Sequence, residues 1–499
     1  LITKVFGPPG TGKTTFLLDV VQQELSAGTS PMDIGYFAFT RKAATEARDR
    51  AVQKFPHLDA KVDFPWFRTL HSLAYHCLGV GNDDLMSGSD YAVFAKETGL
   101  TVSTSVETGE EFIVKTDNAI LSEINLARIR GEDLRTHYNK SQMEIEWFYF
   151  EFVERAFRQF KAAHMLMDFT DLIERLIEQA ERLPSLDVLI VDEAQDMSRL
   201  QWKLVIALES KADRVHLAGD DDQCVFNWAG ADVQTFLSHD GSVKVLEHSY
   251  RVPAKVHALA DKIVNRIQNR QEKTWTPREE QGEIHYYNHF EHVDISKGEW
   301  LVMASTNYML NDMYTWIKSQ GLLFERQGQR SIADSVVTAV IGWERLRKGQ
   351  EIPYDSLQQV YKNLPAEAVK RGFKSLRTAE PDQMYSMQDL KDKHGLLTDV
   401  IWHEALTKIG EDKRDYLISV LKRGIKLSER APIQLSTIHG AKGGEADNVL
   451  LMTDLSPKFA KDYARNADDI NRLLYVGVTR TRQTLHIVLP KNEQKGFRF

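Results

Sequence analysis

A chain of 499 residues with 42% hydrophobic and 27% charged residues exceeds the ~250–300 residues at which one core stops growing, so several globular domains are expected rather than a disordered or fibrous chain. Its 63 basic and 71 acidic side chains leave a net charge of −8, which argues against non-specific coating of a polyanion but permits a narrow local basic groove. No apolar run approaches the ~18 residues that cross a bilayer and no signal peptide precedes the first strand, so a soluble intracellular protein without a membrane partner is expected. Two cysteines, Cys77 and Cys224, are too few for a disulfide framework or a cysteine-built zinc site.

The opening residues read as an apolar strand, LITKVF, a glycine-rich loop, GPPGTGKTT, and an amphipathic helix, FLLDVVQQEL. Gly7 to Thr14 match G-x-x-x-x-G-K-[ST] in the strand–loop–helix context that the chemistry requires. In such a loop the glycines let backbone N–H groups surround phosphate oxygens, and the helix N-terminus adds its partial positive charge. The phosphate cradle is therefore assigned to Gly7, Gly10, Thr11, Gly12, Lys13, Thr14 and Thr15, with Lys13 reaching the β and γ phosphates and Thr14 holding magnesium. A second apolar strand, IGYFAFT (34–40), leads into a helix carrying Arg41, Lys42 and Arg48, a local source of positive charge.

The third strand, LDVLIVDE (186–193), ends in Asp192 and Glu193, and the fourth, ADRVHLAGD (212–220), also ends in acid. Apolar runs without alternation, separated by helices, indicate a parallel sheet covered on both faces. Ligands of such sheets bind at the carboxyl ends of the strands. There Asp192 can hold magnesium through water, and Glu193 can polarise the attacking water as general base. In HLAGDDDQCVFNWAGAD (216–232) three aspartates and Gln223 precede Phe226 and Trp228, which fits phosphate chemistry beside a stacked base. Asp221 is expected to face solvent.

A second set of strands, KVLEHSY (244–250), WLVMAST (300–306), IQLSTIHG (433–440), DNVLLMTD (447–454) and TLHIVL (484–489), implies a second α/β core. The expected division is a first core over 1–77 and 141–247 and a second over 248–330 and 431–499. Mainly helical insertions occupy 78–140 and 331–430.

VDEAQD (191–196) and GDDDQ (219–223) resemble the superfamily 1 helicases of the UvrD, Rep and PcrA branch. FTRKAATEARDR (39–50), RTLHSLAYHCL (68–78), MDFTDLIE (167–174), LEHSYRVP (246–253), LSTIHGAKGGEADNVLL (435–451) and LLYVGVTRTRQTLHIV (473–488) are similar to further motifs of that family, in family order. The resemblance implies two RecA-like P-loop cores with ATP in the cleft between them. It gives Gln223 as γ-phosphate sensor, Arg251 and Arg480 as arginine fingers, Tyr250 as the adenine stack and Glu445 as the ribose contact. It also implies a single-stranded DNA track of Phe39, Thr69, His71, Phe226, Trp228 and His439. Rings suit an enzyme that walks on arbitrary sequence, because stacking contributes about 1–3 kcal/mol per base and accepts any base. Asn227 and Ala229 stand where the family carries basic residues around Trp228, which implies a shallower salt dependence.

The reading is an ATP- and Mg2+-dependent helicase and translocase on single-stranded DNA and single/double-strand junctions, moving 3′→5′, with unidentified loading, repair or replication partners. Two other readings fit the same residues. One is a translocase that displaces proteins without productive unwinding; the other is a nucleotide-gated regulatory DNA-binding module.

Overall fold

Apolar runs that do not alternate can be satisfied only where both faces of a sheet are covered, and two such sheets form in the computed structural model. It describes residues 1–60, 62–106, 114–116, 118–141, 143–377, 379–497 and 499, without the side chains of Lys42 and of residues 105, 106 and 114–116. The first sheet contains β1 (Ile2–Phe6), β2 (Ile34–Phe37), β3 (Phe67–Arg68), β4 (Leu186–Val191), β5 (Ala212–Gly219) and β6 (Ser242–Val245). Their order is β3-β2-β4-β5-β1-β6, with every pair parallel. Val188 to Val191 of β4 are all fully buried, the signature of helices on both sides. The pairings Phe6↔Gly219 and Phe37↔Val191 align the strand ends. The phosphate loop, Asp192 and Asp220 therefore leave the sheet along one edge.

One expected strand is divided. The stretch 244–250, expected as one strand spanning the boundary at 247/248, is two: β6 pairs with β1, while β7 (His248–Pro253) pairs in parallel with β8 (Thr276–Arg278). The physical reason is that β6 is an edge strand with residues 242–244 exposed, so burial leaves little pattern in its sequence. The break falls between two donations to the first strand and its loop: Leu246 N to Phe6 O at 2.9 Å and Tyr250 N to Gly10 O at 2.8 Å.

The second sheet contains β9 (Glu283–Tyr287), β10 (Trp300–Ala304), β11 (Phe324–Arg326), β12 (Gln329–Arg330), β13 (Ile433–Thr437), β14 (Ala446–Met452) and β15 (Thr481–Val488). The order is β9-β15-β14-β10-β13-β11-β12, parallel except for the terminal β11–β12 hairpin. Helices Asp334–Arg347, Tyr354–Asn363 and Glu411–Lys422 bury Trp343, Val360 and Leu417 in one cluster with Val302, Ile433 and Leu435 of this sheet. The chain forms two compact units, Leu1–Glu280 with Arg465–Thr479 and Gln281–Ala464 with Arg480–Phe499. No helix among the described residues is long and apolar enough to cross a membrane.

Between β3 and β4 a helical layer has its own core, in which Phe94 and Ile124 meet Phe150 and Phe157 of helix Trp147–Ala163. Part of the expected insertion 78–140, residues 107–113 and 117, lies outside the described residues. The layer is tied to the D-F-x-D-L segment by charge. Arg128 meets Asp168, Asp171 and Glu174 at 2.8, 2.6 and 2.6 Å, and Lys161 meets Asp168 and Asp171 at 2.6 and 2.5 Å. Burial alone would raise the Asp168 carboxyl, but Arg128 and Lys161 hold it down at about 2.

A depressed carboxyl stabilises the fold above the unfolded-state value, and that contribution disappears as pH falls through the folded one. The first unit should therefore lose stability between about pH 4 and pH 2. Lys161→Met, which leaves buried acid short of a partner, should destabilise it by about 3–5 kcal/mol at neutral pH, read from denaturant midpoints.

Candidate functional site

The first functional element follows from β1. Gly7 N donates to Gly219 O at 2.9 Å, after which the chain turns through Gly10 and Gly12 at φ 74° and 76° into helix Lys13–Ser26. Positive φ suits glycine, and at Gly10 space demands it as well: a Cβ would stand 2.4 Å from Arg251 Cβ and 2.9 Å from Ser249 Oγ. Thr11 is buried, and its hydroxyl donates to Pro8 O at 2.8 Å. Thr14 and Thr15 follow Lys13 in the first turn of the helix, Thr15 exposed.

Lys13 brings the two strand-end acids together. Its Nζ lies 3.0 Å from Asp192 Oδ1 and 2.5 Å from Glu193 Oε1. Burial would lower the ammonium's pKa, but the two carboxylates hold it above the ordinary lysine range. The other Asp192 oxygen accepts the Tyr36 hydroxyl at 3.0 Å, an orienting contact that no motif announced. Glu193 sits at φ 55°, ψ 38°, a left-handed conformation that costs a non-glycine residue about 1–2 kcal/mol and turns the acid back toward the loop. The oxygen donors of Thr14 and Asp192 suit a hard divalent cation.

From Glu193 a chain of hydrogen bonds runs across the strand ends. The Gln195 amide donates to Glu193 Oε2 at 2.5 Å, and its carbonyl accepts Asp220 N at 3.0 Å. Gln223 Nε2 then donates to Asp220 Oδ2 at 2.7 Å. Cys224 Sγ returns to Gln195 O at 3.1 Å, fastening the turn that carries the rings. Gln195 is fully buried, and nothing in its sequence context marks it beyond membership of VDEAQD.

The expectation that Asp221 faces solvent is wrong. Its side chain is 0% exposed, because Lys273 Nζ lies 2.5 Å from it and 3.3 and 2.8 Å from Asp220 and Asp222. Arg270 adds two bonds of 2.8 Å to Asp222. Burial pushes the Asp221 carboxyl up to about 6 against the pull of Lys273. Burial also raises Asp220, whereas at Asp222 the hydrogen bonds from Arg270 override burial and lower the carboxyl.

The rings lie beyond this charged layer. Phe39 and Phe226 stack at 5.9 Å with planes 19° apart, and Trp228 is 62% exposed. Tyr250 is 71% exposed; its ring passes the phosphate loop, 3.8 Å from where a Gly12 Cβ would stand. Thr69 is buried and caps helix Leu70–Leu78, accepting Ser72 N at 3.2 Å. His71 meets the Phe169 ring edge at 6.1 Å. Arg41 and Arg48 lie on helix Arg41–Lys54, while the side chain of Lys42 lies outside the described residues. Arg251 belongs to the first unit, whereas Arg480, Glu445 and His439 belong to the second. Arg480 is buried with Nη1 3.4 Å from Gly444 O, Glu445 Oε1 lies 3.6 Å from Arg482, and His439 packs 6.1 Å from Phe459.

Residues 2–244 match the UvrD/REP helicase N-terminal domain and residues 397–492 the UvrD-like helicase C-terminal domain. The ATP-dependent DNA helicase PcrA of Staphylococcus aureus (strain Mu50) is 27% identical over 296 residues, covering 56% of this chain and 40% of the relative. DNA helicase II of Haemophilus influenzae is 25% identical over 346 residues, covering 64% and 45%. PcrA of Bacillus subtilis is 26% identical over 298 residues, covering 56% and 39%. The chain thus spans less than half the length of each of these relatives.

Gly10→Ala tests the loop geometry. The left-handed backbone alone should lower stability by about 1–2 kcal/mol, and relief of the 2.4 Å approach to Arg251 requires the loop to shift. Thermal unfolding should register the first effect and loss of fluorescent-nucleotide binding the second.

Proposed function

Because the chain belongs to the UvrD/Rep/PcrA-type superfamily 1 helicases, we propose that it is an ATP-dependent DNA helicase that translocates 3′→5′ on single-stranded DNA and opens duplex at junctions. The observation that carries this reading is the continuous path Lys13–Glu193–Gln195–Asp220–Gln223. It joins a phosphate-binding lysine to the turn that bears Phe226 and Trp228, so a change at the nucleotide has a bonded route to the rings.

On this reading the phosphates of ATP enter the loop Gly7–Thr15 and draw Lys13 away from its two acids. Thr14 and Asp192 hold magnesium, which when bound neutralises developing phosphate charge. Freed from Lys13, Glu193 orients and deprotonates the attacking water. Gln223 senses the γ-phosphate, Arg251 supplies positive charge beside the loop, and the exposed Tyr250 ring offers a face to adenine. Arg480 and Glu445 enter the proposal only through their motif positions, as finger and ribose contact. Phe39, Phe226 and Trp228 supply stacking surfaces for bases, with Thr69, His71 and His439 as polar contacts to the strand.

Glu193→Gln should lower DNA-stimulated ATP turnover by about 10²–10⁴-fold, the range of general-base catalysis, and Lys13→Ala should abolish it. Retained turnover in the glutamine variant would exclude the glutamate as base. Trp228→Ala should weaken oligothymidylate binding by about 1–3 kcal/mol while basal hydrolysis changes less, read by anisotropy titration beside an ATPase assay. Unequal unwinding of substrates with 3′ and 5′ tails gives polarity, and translocation without strand separation would replace the helicase reading with that of a protein-displacing motor.

A further inference from the structure

Asp220, Asp221 and Asp222 are buried with carboxylate oxygens within 4.8 Å of one another, and the first-unit cations that compensate them come from outside the motif that carries them. Lys273, whose side chain has no exposed surface, touches all three acids, and Arg270 forks onto Asp222. Gln271 N donates to Asp221 Oδ2 at 2.8 Å. The segment that carries these groups is itself fastened: Arg472 Nη2 donates to Asn269 O at 2.5 Å and its Nε to Asp221 O at 3.0 Å. Lys273 therefore occupies the place that a cation held by three carboxylates would take.

The geometry at Asp220 gives this arrangement a consequence. Its Oδ1 is 3.3 Å from Lys273 Nζ, while its Oδ2 takes the Gln223 amide at 2.7 Å. One carboxylate thus has one oxygen toward the buried lysine and the other toward the proposed phosphate sensor. Lys273 Nζ also stands 5.5 Å over the Phe6 ring, and none of its described contacts is with the loop Gly7–Thr15.

We infer that Lys273 is a positioning residue: by holding the Asp220 carboxylate it sets the orientation of the Gln223 amide and so governs how strongly single-stranded DNA stimulates ATP turnover. The inference rests on the helicase reading. It predicts a defect in kcat with DNA rather than in nucleotide affinity, because the contacts of Lys273 fall on the three aspartates and not on the loop Gly7–Thr15.

Lys273→Met alone leaves three buried acids short of a cation, so the test uses Lys273→Met/Asp221→Asn, which conserves the cluster's net charge and leaves Asp220 intact. Asp220→Asn, which neutralises the linking group itself, is the second variant should the pair fail to fold. ATP turnover is measured with and without saturating oligothymidylate, alongside fluorescent-ADP affinity and thermal melting. Stimulation should fall by about 5–10-fold, the low end of coupling between sites, with ADP affinity within about twofold of wild type. In a Gln223→Ala background either variant should cause no further loss. Wild-type stimulation in the variants, or a full additional loss on top of Gln223→Ala, overturns the inference while leaving the helicase reading standing. A wild-type chain whose turnover ignores DNA overturns both.

Discussion

Negative charge is crowded at the carboxyl edge of the first sheet, and the structure depends on how that charge is matched. Asp192, Glu193 and the three aspartates from Asp220 leave neighbouring strand ends. Two unit charges 4 Å apart at an effective dielectric of about 20 interact by about 4 kcal/mol, so the group persists only with cations set among its members. Lys13 matches the first pair and Lys273 with Arg270 the second group. The two lysines differ in what can replace their partners. Lys273 is sealed, whereas Lys13 follows a glycine loop and keeps some exposed surface, where on the proposed function phosphate oxygens would compete for its ammonium.

That asymmetry gives the site one fixed and one exchangeable half. Glu193 is held in a left-handed conformation by the same contacts that satisfy its carboxylate, Lys13 on one oxygen and Gln195 on the other. Strain of this kind persists where the surroundings over-determine it and clusters at functional positions. Gln195 bonds Glu193 through its amide, and its side-chain carbonyl also supports Asp220 N. On the proposed function, an exchange of charge at the loop would reach the turn that carries the aromatic rings along these bonds.

The parallel sheet, the loop and the acids at its edge were legible in the sequence, because a covered strand is uniformly apolar and a phosphate cradle needs glycines at fixed offsets. Strand β6 was not, since three of its four residues are exposed and exposure removes the pattern that marks a strand. The burial of Asp221 leaves no local mark for a related reason: three adjacent acids have the pattern of a solvated turn, and the lysine that makes their burial tolerable lies 52 positions away. Tyr36 and Gln195 were invisible as site residues, one sitting in an ordinary apolar strand and the other inside a motif whose acids draw the attention. Long-range charge compensation leaves no local signature, whereas periodicity and turn chemistry do.

On the proposed function, the state of the nucleotide and the grip on an unpaired strand form one linked equilibrium, and linkage is reciprocal. The most direct test is the affinity of the wild-type chain for a short oligothymidylate, titrated at fixed ionic strength with saturating ADP and with a non-hydrolysable ATP analogue. The affinities should differ by about 5-fold or more between the two nucleotides, with the nucleotide affinities shifted by the same factor when the strand is present. Identical strand affinity in both nucleotide states would contradict it.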